Sequence, residues 1–308
     1  MPAYLVRRLL WTVPILLGVT FLLFILLYVL PGDPARILTG YRNPGAQQLA
    51  NLQDRFDTRR PLHRQYLSYM GDLVRGDLGT SFRSRRPVAE VIGETLPNSL
   101  KLAALALLLE LSIGVPAGAL AALKRDSVFD RASMVAAAVL MATPVFLLAL
   151  AVQWLLGVKL HWLPISGLGP GLRYYVLPAL VMALIAAAYL ARVVRSSLLE
   201  ILSKDYITAA RANGLPETRI LLLHALKNAL APVITLAGLH FGFLIGSAVA
   251  TEVVFNWPGI GRQLFAAVIE RDRPVVIGAT LVLSTLFILV NLMVDLAHAW
   301  VNPRVRRQ

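Results

Sequence analysis

The stretch SKDYITAARANGLPETRILLLHALKNALAP, residues 203–232, separates two long apolar runs of the chain. Ser203 is a residue type that caps helix starts, and Asp205 follows in the first turn, where the helix dipole favours an anion. The spacing therefore predicts a short helix that begins near Ser203. One face of this helix carries, at helical spacing, Tyr206, Ala209, Ala210 and Asn213.

The short helix is predicted to end at Gly214, because glycine readily adopts the left-handed conformation that follows a helix end. Pro216 suits the first position of a second helix, where it is followed by Glu217. The second helix carries a polar stripe that consists of Glu217, His224, Lys227 and Asn228. The stretch thus predicts two helices joined by a sharp turn along a membrane face, with an ordinary interfacial amphipathic helix as the alternative.

Composition places the rest of the chain in a membrane. Of its 308 residues, 57% are hydrophobic and 15% are charged, and the mean hydropathy is +0.67. A soluble domain of this size would carry far more charge. The net charge of +13 fits Lys and Arg at cytoplasmic loop ends better than nucleic-acid binding. The absence of cysteine excludes disulfides, Cys-ligated zinc and thiol catalysis.

Six apolar runs are long enough to cross a bilayer as helices, which takes about 20 residues each. We predict them at residues 9–30, 99–123, 132–158, 176–194, 230–254 and 275–299. Proline inside a run, such as Pro144, is tolerable because neighbouring helices can satisfy freed backbone groups. The sequence therefore predicts an all-α integral membrane protein with six transmembrane helices.

The placement of Lys and Arg predicts the orientation of these helices. Basic residues collect at both termini, after the second span and around residues 203–230, so these segments are predicted to be cytoplasmic. Residues 31–97 would then form an extracytoplasmic insertion. The predicted organisation is residues 1–30 as the amino terminus and first helix, 31–97 as the insertion, 98–300 as a five-helix core that contains the short helices at 203–230, and 301–308 as a cytoplasmic tail.

The two-helix stretch resembles the coupling motif of binding-protein-dependent ABC permeases, in the form found in dipeptide and oligopeptide permeases. The resemblance rests on Tyr206, AARANGL at 209–215, His224-Ala225-Leu226, Asn228 and Pro232. Other segments resemble the same family: residues 4–34, which end in Pro-Gly-Asp-Pro, TLPNSLKLA at 95–103, TEVVFNWPGIGR at 251–262 and ERDRP at 270–274. The chain departs from the family pattern at Asn213, where lysine is usual, and at the end of the last span, which reads Asp295, His298 and Asn302-Pro303-Arg304.

The resemblance implies the type I ABC importer permease fold and a role as an amino-terminal-type, channel-forming subunit in a bacterial inner membrane. Such a subunit translocates di- or oligopeptides that an extracytoplasmic binding protein delivers. It pairs with a homologous second permease subunit and two cytoplasmic ATPases, which use ATP and Mg, while the chain itself binds no cofactor and is not an enzyme. Haem, glutathione or nickel as substrate, and an ion-coupled secondary transporter, are the alternatives.

The resemblance also assigns roles to residues. ATPase coupling is assigned to Asp205, Tyr206, Ala209, Ala210, Arg211, Gly214, Leu215 and Glu217. The extracytoplasmic gate and the contact with the binding protein are assigned to Glu252, Trp257, Pro258, Gly259, Gly261 and Arg262.

Ionisable residues within the predicted spans are candidates for the translocation path, because such residues are costly in lipid and usually face a cavity or a partner. Glu110, His240 and Asp295 are the three of interest. Each could line the path or form a hydrogen bond between helices, and the second role is favoured for Asp295. The sequence contains no phosphate-binding P-loop and no His-Glu-x-x-His zinc motif, so neither ATP binding by this chain nor zinc proteolysis is expected.

Overall fold

The computed structural model describes residues 2–29 and 61–301. The first part of the predicted insertion, residues 31–60, and residues 302–308 of the predicted tail lie outside the described residues, as do the side chains of Pro232, Asp295 and His298. Apart from one isolated β-bridge between Thr80 and Pro87, the regular elements of the described residues are helices. The all-α prediction is therefore confirmed.

The described residues form helices that range from short polar segments to long apolar ones. In chain order they are α1 (Pro2–Val29), α2 (Leu62–Val74), α3 (Val88–Leu123), α4 (Val128–Ala142), α5 (Val145–Val152, continued by π-helical Gln153–Lys159), α6 (Arg173–Leu202), α7 (Asp205–Ala212), α8 (Glu217–Arg219, π-helical Ile220–Ala225 and Leu226–Ala229), α9 (Ala231–Val254), α10 (Ile260–Ile269) and α11 (Arg273–Val301).

Four of the described helices, α3, α6, α9 and α11, are long and apolar enough to cross a bilayer. The bent pair α4–α5 makes a fifth crossing if it is counted as one span. The apolar part of α1, Leu10–Leu26, is shorter than these four. A membrane-spanning fold is thus confirmed, whereas the count of six spans stays a prediction.

The predicted third span is broken. Helices α4 and α5 meet at an angle of 111° around Thr143 and Pro144, so the prediction of one helix running through Pro144 is wrong. Proline has no N–H to donate and disfavours a helical conformation at the preceding residue. Thr143 accordingly has an extended ψ of 125°, and its hydroxyl donates to the Val139 carbonyl at 2.7 Å.

The second predicted span is part of a longer helix. Helix α3 begins at Val88 rather than near residue 99 and contains 36 residues. A helix of that length extends over about 54 Å, whereas the hydrocarbon core of a bilayer is about 30 Å thick. The last residues of the predicted insertion therefore form the first turns of α3.

One compact unit of the chain comprises Met1–Asn98 and Gly259–Ile288. The described residues of the predicted insertion therefore pack with residues that follow Pro258, rather than among themselves alone. Asp272 accepts hydrogen bonds from the Ser81 hydroxyl at 2.5 Å and from the backbone N–H of Phe82 at 3.0 Å. The apolar core of this unit consists of Val88, Ile92, Ile260, Ala267, Val275, Val276 and Ala279.

A second compact unit comprises Ser99–Pro258 and Leu289–Gln308. Helix α6 forms its centre, because twelve of its residues are buried. Helix α3 approaches α6 closely at Gly114 and Gly118, where an added Cβ would contact the backbone carbonyls of Ala187 and Ala191. Small residues at such crossings let helix backbones pack tightly in membranes.

Candidate functional site

The first candidate site is the segment that joins α6 to α9, residues 203–230, here called the coupling segment. Its short helix α7 begins at Asp205, after Lys204 in an extended conformation. The prediction that Ser203 caps this helix is wrong. Ser203 still has helical dihedral angles at the end of α6, and its hydroxyl donates to the Glu200 carbonyl at 2.7 Å.

The turn after α7 confirms the prediction for Gly214, which has a φ of +77°. The N–H of Gly214 donates to the Arg211 carbonyl at 2.9 Å, and the N–H of Leu215 donates to the Ala210 carbonyl at 3.3 Å. These two bonds are those of a Schellman motif, in which a left-handed residue ends the helix. Helix α8 begins at Glu217, one residue later than predicted, because Pro216 is extended.

A salt bridge spans the same turn. Arg211 Nε donates to Glu217 Oε1 at 2.6 Å, and Arg211 Nη2 lies 3.4 Å from Glu217 Oε2. The hydrogen bond from Arg211 lowers the pKa of the Glu217 carboxyl, and the reciprocal bond raises the pKa of Arg211. Both side chains are exposed, so the pair orients the turn more than it stabilises the fold.

The predicted coupling residues divide between an outer and an inner face. Most of them are exposed, whereas Ala210 and Leu215 are half-buried and pack against an apolar cluster below. Ile207, which we did not single out, is fully buried, although its spacing of three from Ala210 indicates a common face. The cluster consists of Ala122, Leu198, Ile207, Ile220, Ala225 and Ala229. The coupling segment therefore rests on the ends of α3 and α6.

The second candidate site lies at membrane depth, where the structure brings Glu110 and His240 together. Glu110 of α3 is fully buried, and its Oε1 lies 2.5 Å from Nδ1 of His240 on α9. Its Oε2 is buried and has no hydrogen-bond partner among the described residues. Tyr189 of α6 lies beside His240, with 5.5 Å between ring centroids, and is 41% exposed. We did not predict Tyr189 as a member of this site, although a tyrosine hydroxyl within an apolar span is a sequence feature that could have identified it.

The third candidate site is the end of α9 and the loop after it. Glu252 is fully buried and accepts a hydrogen bond from the Ser99 hydroxyl at 2.5 Å. Trp257 is also fully buried and packs edge-on against Tyr175, with 4.6 Å between ring centroids, and its backbone N–H donates to the backbone carbonyl of Glu252 at 2.8 Å. In this conformation both side chains are internal and offer no surface to a partner.

The remaining predicted residues of that set differ in exposure. Pro258 is half-buried at the end of the loop. Gly259 precedes α10 with an extended backbone, Gly261 is buried in its first turn, and Arg262 is exposed. Of these residues, Arg262 and Pro258 have surface that a partner could reach.

Comparison with known proteins places the whole chain among transport proteins. Residues 114–307 match the family described as binding-protein-dependent transport system inner membrane component, and residues 1–103 match the amino-terminal part of the same system. The dipeptide transport system permease protein DppB of Alkalihalophilus pseudofirmus is 39% identical over 99% of this chain and 100% of its own length. The di/tripeptide transport system permease protein DppB of Pseudomonas aeruginosa is 38% identical over 100% of both chains.

The chain is also similar to a glutathione permease and to a methionine transporter of known structure. The glutathione transport system permease protein GsiC of Salmonella choleraesuis is 40% identical over 98% of both chains. Among solved structures, an inward-facing form of the MetNI methionine ABC transporter has a TM-score of 0.59 at 20% identity, over 70% of this chain and 97% of that chain. The structural similarity supports the fold alone.

Proposed function

We infer the function of this chain from its family: it belongs to the binding-protein-dependent transport system inner membrane components. It is a multi-pass inner-membrane protein and a channel-forming subunit of an ABC importer. Its role is therefore transport rather than catalysis. The observation that carries this conclusion is a family match that includes the coupling segment and extends over nearly the entire chain.

We propose that the chain translocates short peptides. The support is its full-length similarity to permeases named for dipeptides and di/tripeptides. Glutathione is the second candidate, because the glutathione permease is equally similar. Glutathione is itself a tripeptide, so the two candidates share the chemistry of a short, zwitterionic peptide.

The experiment that tests this function is ATP-dependent uptake. The chain would be reconstituted in proteoliposomes with its partner subunits and binding protein, and offered dipeptides, longer peptides, glutathione, haem and nickel. We expect peptide uptake that requires ATP on the side of the membrane where the ATPase subunits lie. An ion gradient should not change this uptake. Uptake of haem or nickel alone would reject the peptide proposal, and gradient-driven uptake without ATPases would reject the importer class.

The proposed partners follow from the family. We propose a heterodimer with a homologous permease subunit, two ATPase subunits docked on the exposed ATPase-coupling residues between Asp205 and Glu217, and an extracytoplasmic binding protein. ATP and Mg are used by the ATPases, and this chain binds no cofactor of its own. Purification in mild detergent should recover this complex, whereas isolation of a stable, transport-competent homodimer would contradict it.

The proposed topology has both termini, residues 124–131 and the coupling segment in the cytoplasm. Because the chain has no cysteine, single introduced cysteines report sidedness cleanly. A cysteine at Ser68, which is exposed on α2, should react with an impermeant thiol reagent from outside. A cysteine at Thr208, exposed on α7, should react only from the cytoplasm. The opposite labelling pattern would invert the topology.

We propose that Glu110 and His240 form a polar site beside the translocation path. Their pairing supports this placement, and Tyr189 leaves the cluster partly open. Glu110→Gln should lower uptake by about 10-fold, the factor that corresponds to about 1.4 kcal/mol, because an amide offers Nδ1 of His240 only one acceptor oxygen in place of the carboxyl group. Complex assembly and basal ATP hydrolysis should be unchanged.

The matched control is Ser112→Ala, which removes an exposed hydroxyl of α3 that donates only to the Leu108 carbonyl in the structure. Wild-type uptake by Glu110→Leu would show that the pair is structural.

A further inference from the structure

Asp130, near the start of α4, has a buried carboxylate that accepts three hydrogen bonds. Arg195 of α6 donates through Nε to Oδ1 and through Nη2 to Oδ2, both at 2.6 Å. The backbone N–H of Asp126 donates to Oδ2 at 3.0 Å. Asp130 is 2% exposed, and Arg195 has 24% of its side chain exposed. A forked, largely buried pair of this kind fixes both distance and orientation.

The backbone around Asp130 helps to fix the position of its carboxylate. The Ser127 hydroxyl accepts a hydrogen bond from the N–H of Asp130 and caps α4. Asp126 has a φ of +63°, which turns its own N–H toward the carboxylate. The connection between α3 and α4 is therefore built around the same group that binds Arg195.

The Asp130–Arg195 ion pair lies close in the chain to the apolar cluster on which the coupling segment packs. Arg195 precedes Leu198 on α6 by three residues, and Leu198 lies in the apolar cluster under α7 and α8. The connection that leads to Asp130 begins just after Ala122, which belongs to the same cluster. The ends of α3 and α6 thus support the coupling segment. The Asp130–Arg195 pair links these same two ends to α4.

Helix α4 packs along α6, and most of its side chains remain accessible. Of its fifteen residues, only Asp130 and Ala137 are buried. A buried ion pair is a poor source of net stability, because apolar residues of similar volume often serve as well. The directional bonds of the pair therefore account better for its presence than its contribution to stability does.

We propose that Asp130 and Arg195 are positioning residues that join α4 to the coupling segment as one rigid body. A displacement of α7 by the ATPase would then reach the bent α4–α5 pair directly through Arg195 and Asp130. This inference rests on the proposed importer function and adds a transmission contact to it.

The first test measures whether α4 and the coupling segment move together while the Asp130–Arg195 pair is intact. Spin labels would replace Val135 on α4 and Leu223 on α8, both of which are exposed and lie outside the predicted ATPase-coupling residues. In the reconstituted complex, the distance between the labels should be the same without nucleotide and with trapped ATP. A change in that distance between the two states would overturn the proposal, whether or not any variant assembles.

The second test separates positioning from stability. Asp130→Leu with Arg195→Met removes both charges together, so no buried charge is left unpaired and the complex should assemble. Stimulation of ATP hydrolysis by the loaded binding protein should nevertheless fall by about 5-fold or more, the lower range of coupling between sites. Arg195→Lys keeps the charge but loses the fork and should give an intermediate loss.

The matched control is Glu200→Gln, which breaks an exposed ion pair with Lys204 near the end of the same helix and should leave stimulation unchanged. Wild-type stimulation and uptake in the double variant would overturn the proposal. A wild-type complex that takes up no peptide at all would instead count against the proposed function.

Discussion

Gly118→Ala is expected to force α3 away from α6 and to destabilise the assembled complex. The added Cβ would overlap the Ala191 carbonyl oxygen and would lie 2.8 Å from Cβ of Val194. A helix carbonyl cannot move aside alone, so the two helices must part. Overpacking of this kind costs about 1–3 kcal/mol, and here it acts on the helix that supports the coupling segment.

Two further alanine variants make this expectation quantitative. At Gly114 the nearest atoms to an added Cβ lie at 3.0 Å, so Gly114→Ala should have a smaller effect. At Gly246, in α9, no atom lies within 4 Å of the added Cβ. Gly246→Ala should be neutral or slightly stabilising, because alanine favours helix over glycine by up to about 1 kcal/mol. Thermal unfolding of the purified complex should rank the variants in this order, and equal behaviour of Gly118→Ala and Gly246→Ala would contradict the proposed crossing.

Local chemistry accounts for the features that the sequence predicted well. The apolar runs, the turn at Gly214 and the start of α8 near Glu217 each depend on residues within a few positions of one another. The failures arise where two local preferences compete. Ser203 has a good cap side chain, but α6 extends through it and Lys204 takes the extended position. Pro144 is tolerable inside a membrane helix in general, yet here the preceding Thr143 adopts an extended conformation and the helix bends.

Contacts between distant parts of the chain could not be read from the sequence. Glu110 and His240 were separate candidates, and nothing in their local pattern indicates that 130 positions later an imidazole meets the carboxylate. Asp130 and Arg195 are 65 positions apart, and the sequence pattern singles out neither of them. The resemblance assigned Glu252 and Trp257 to the gate and the binding-protein contact, and only the packing of the structure shows that both side chains are buried.

Gly214→Val is expected to uncouple ATP hydrolysis from transport while leaving the membrane helices in place. The left-handed conformation at Gly214 costs a non-glycine residue about 1–2 kcal/mol and is least accessible to β-branched side chains. Relaxing this strain would break the bonds from Gly214 to Arg211 and from Leu215 to Ala210. Leu215 would then leave the apolar cluster, and α7 would lose its fixed angle to α8.

Gly214→Asn is the matched control for this prediction, because asparagine tolerates positive φ and is similar in size to valine. No atom lies within 4 Å of a Cβ added at Gly214, so the Cβ of neither variant meets a steric obstacle. A difference between the two variants therefore reports the backbone conformation alone. We expect membrane insertion in both, near-normal stimulation of ATP hydrolysis and uptake in Gly214→Asn, and a loss of about 10-fold in Gly214→Val, the factor that corresponds to about 1.4 kcal/mol. Equal stimulation and uptake in the two variants would mean that the positive φ is not required, and that the turn does not set the geometry through which α7 acts.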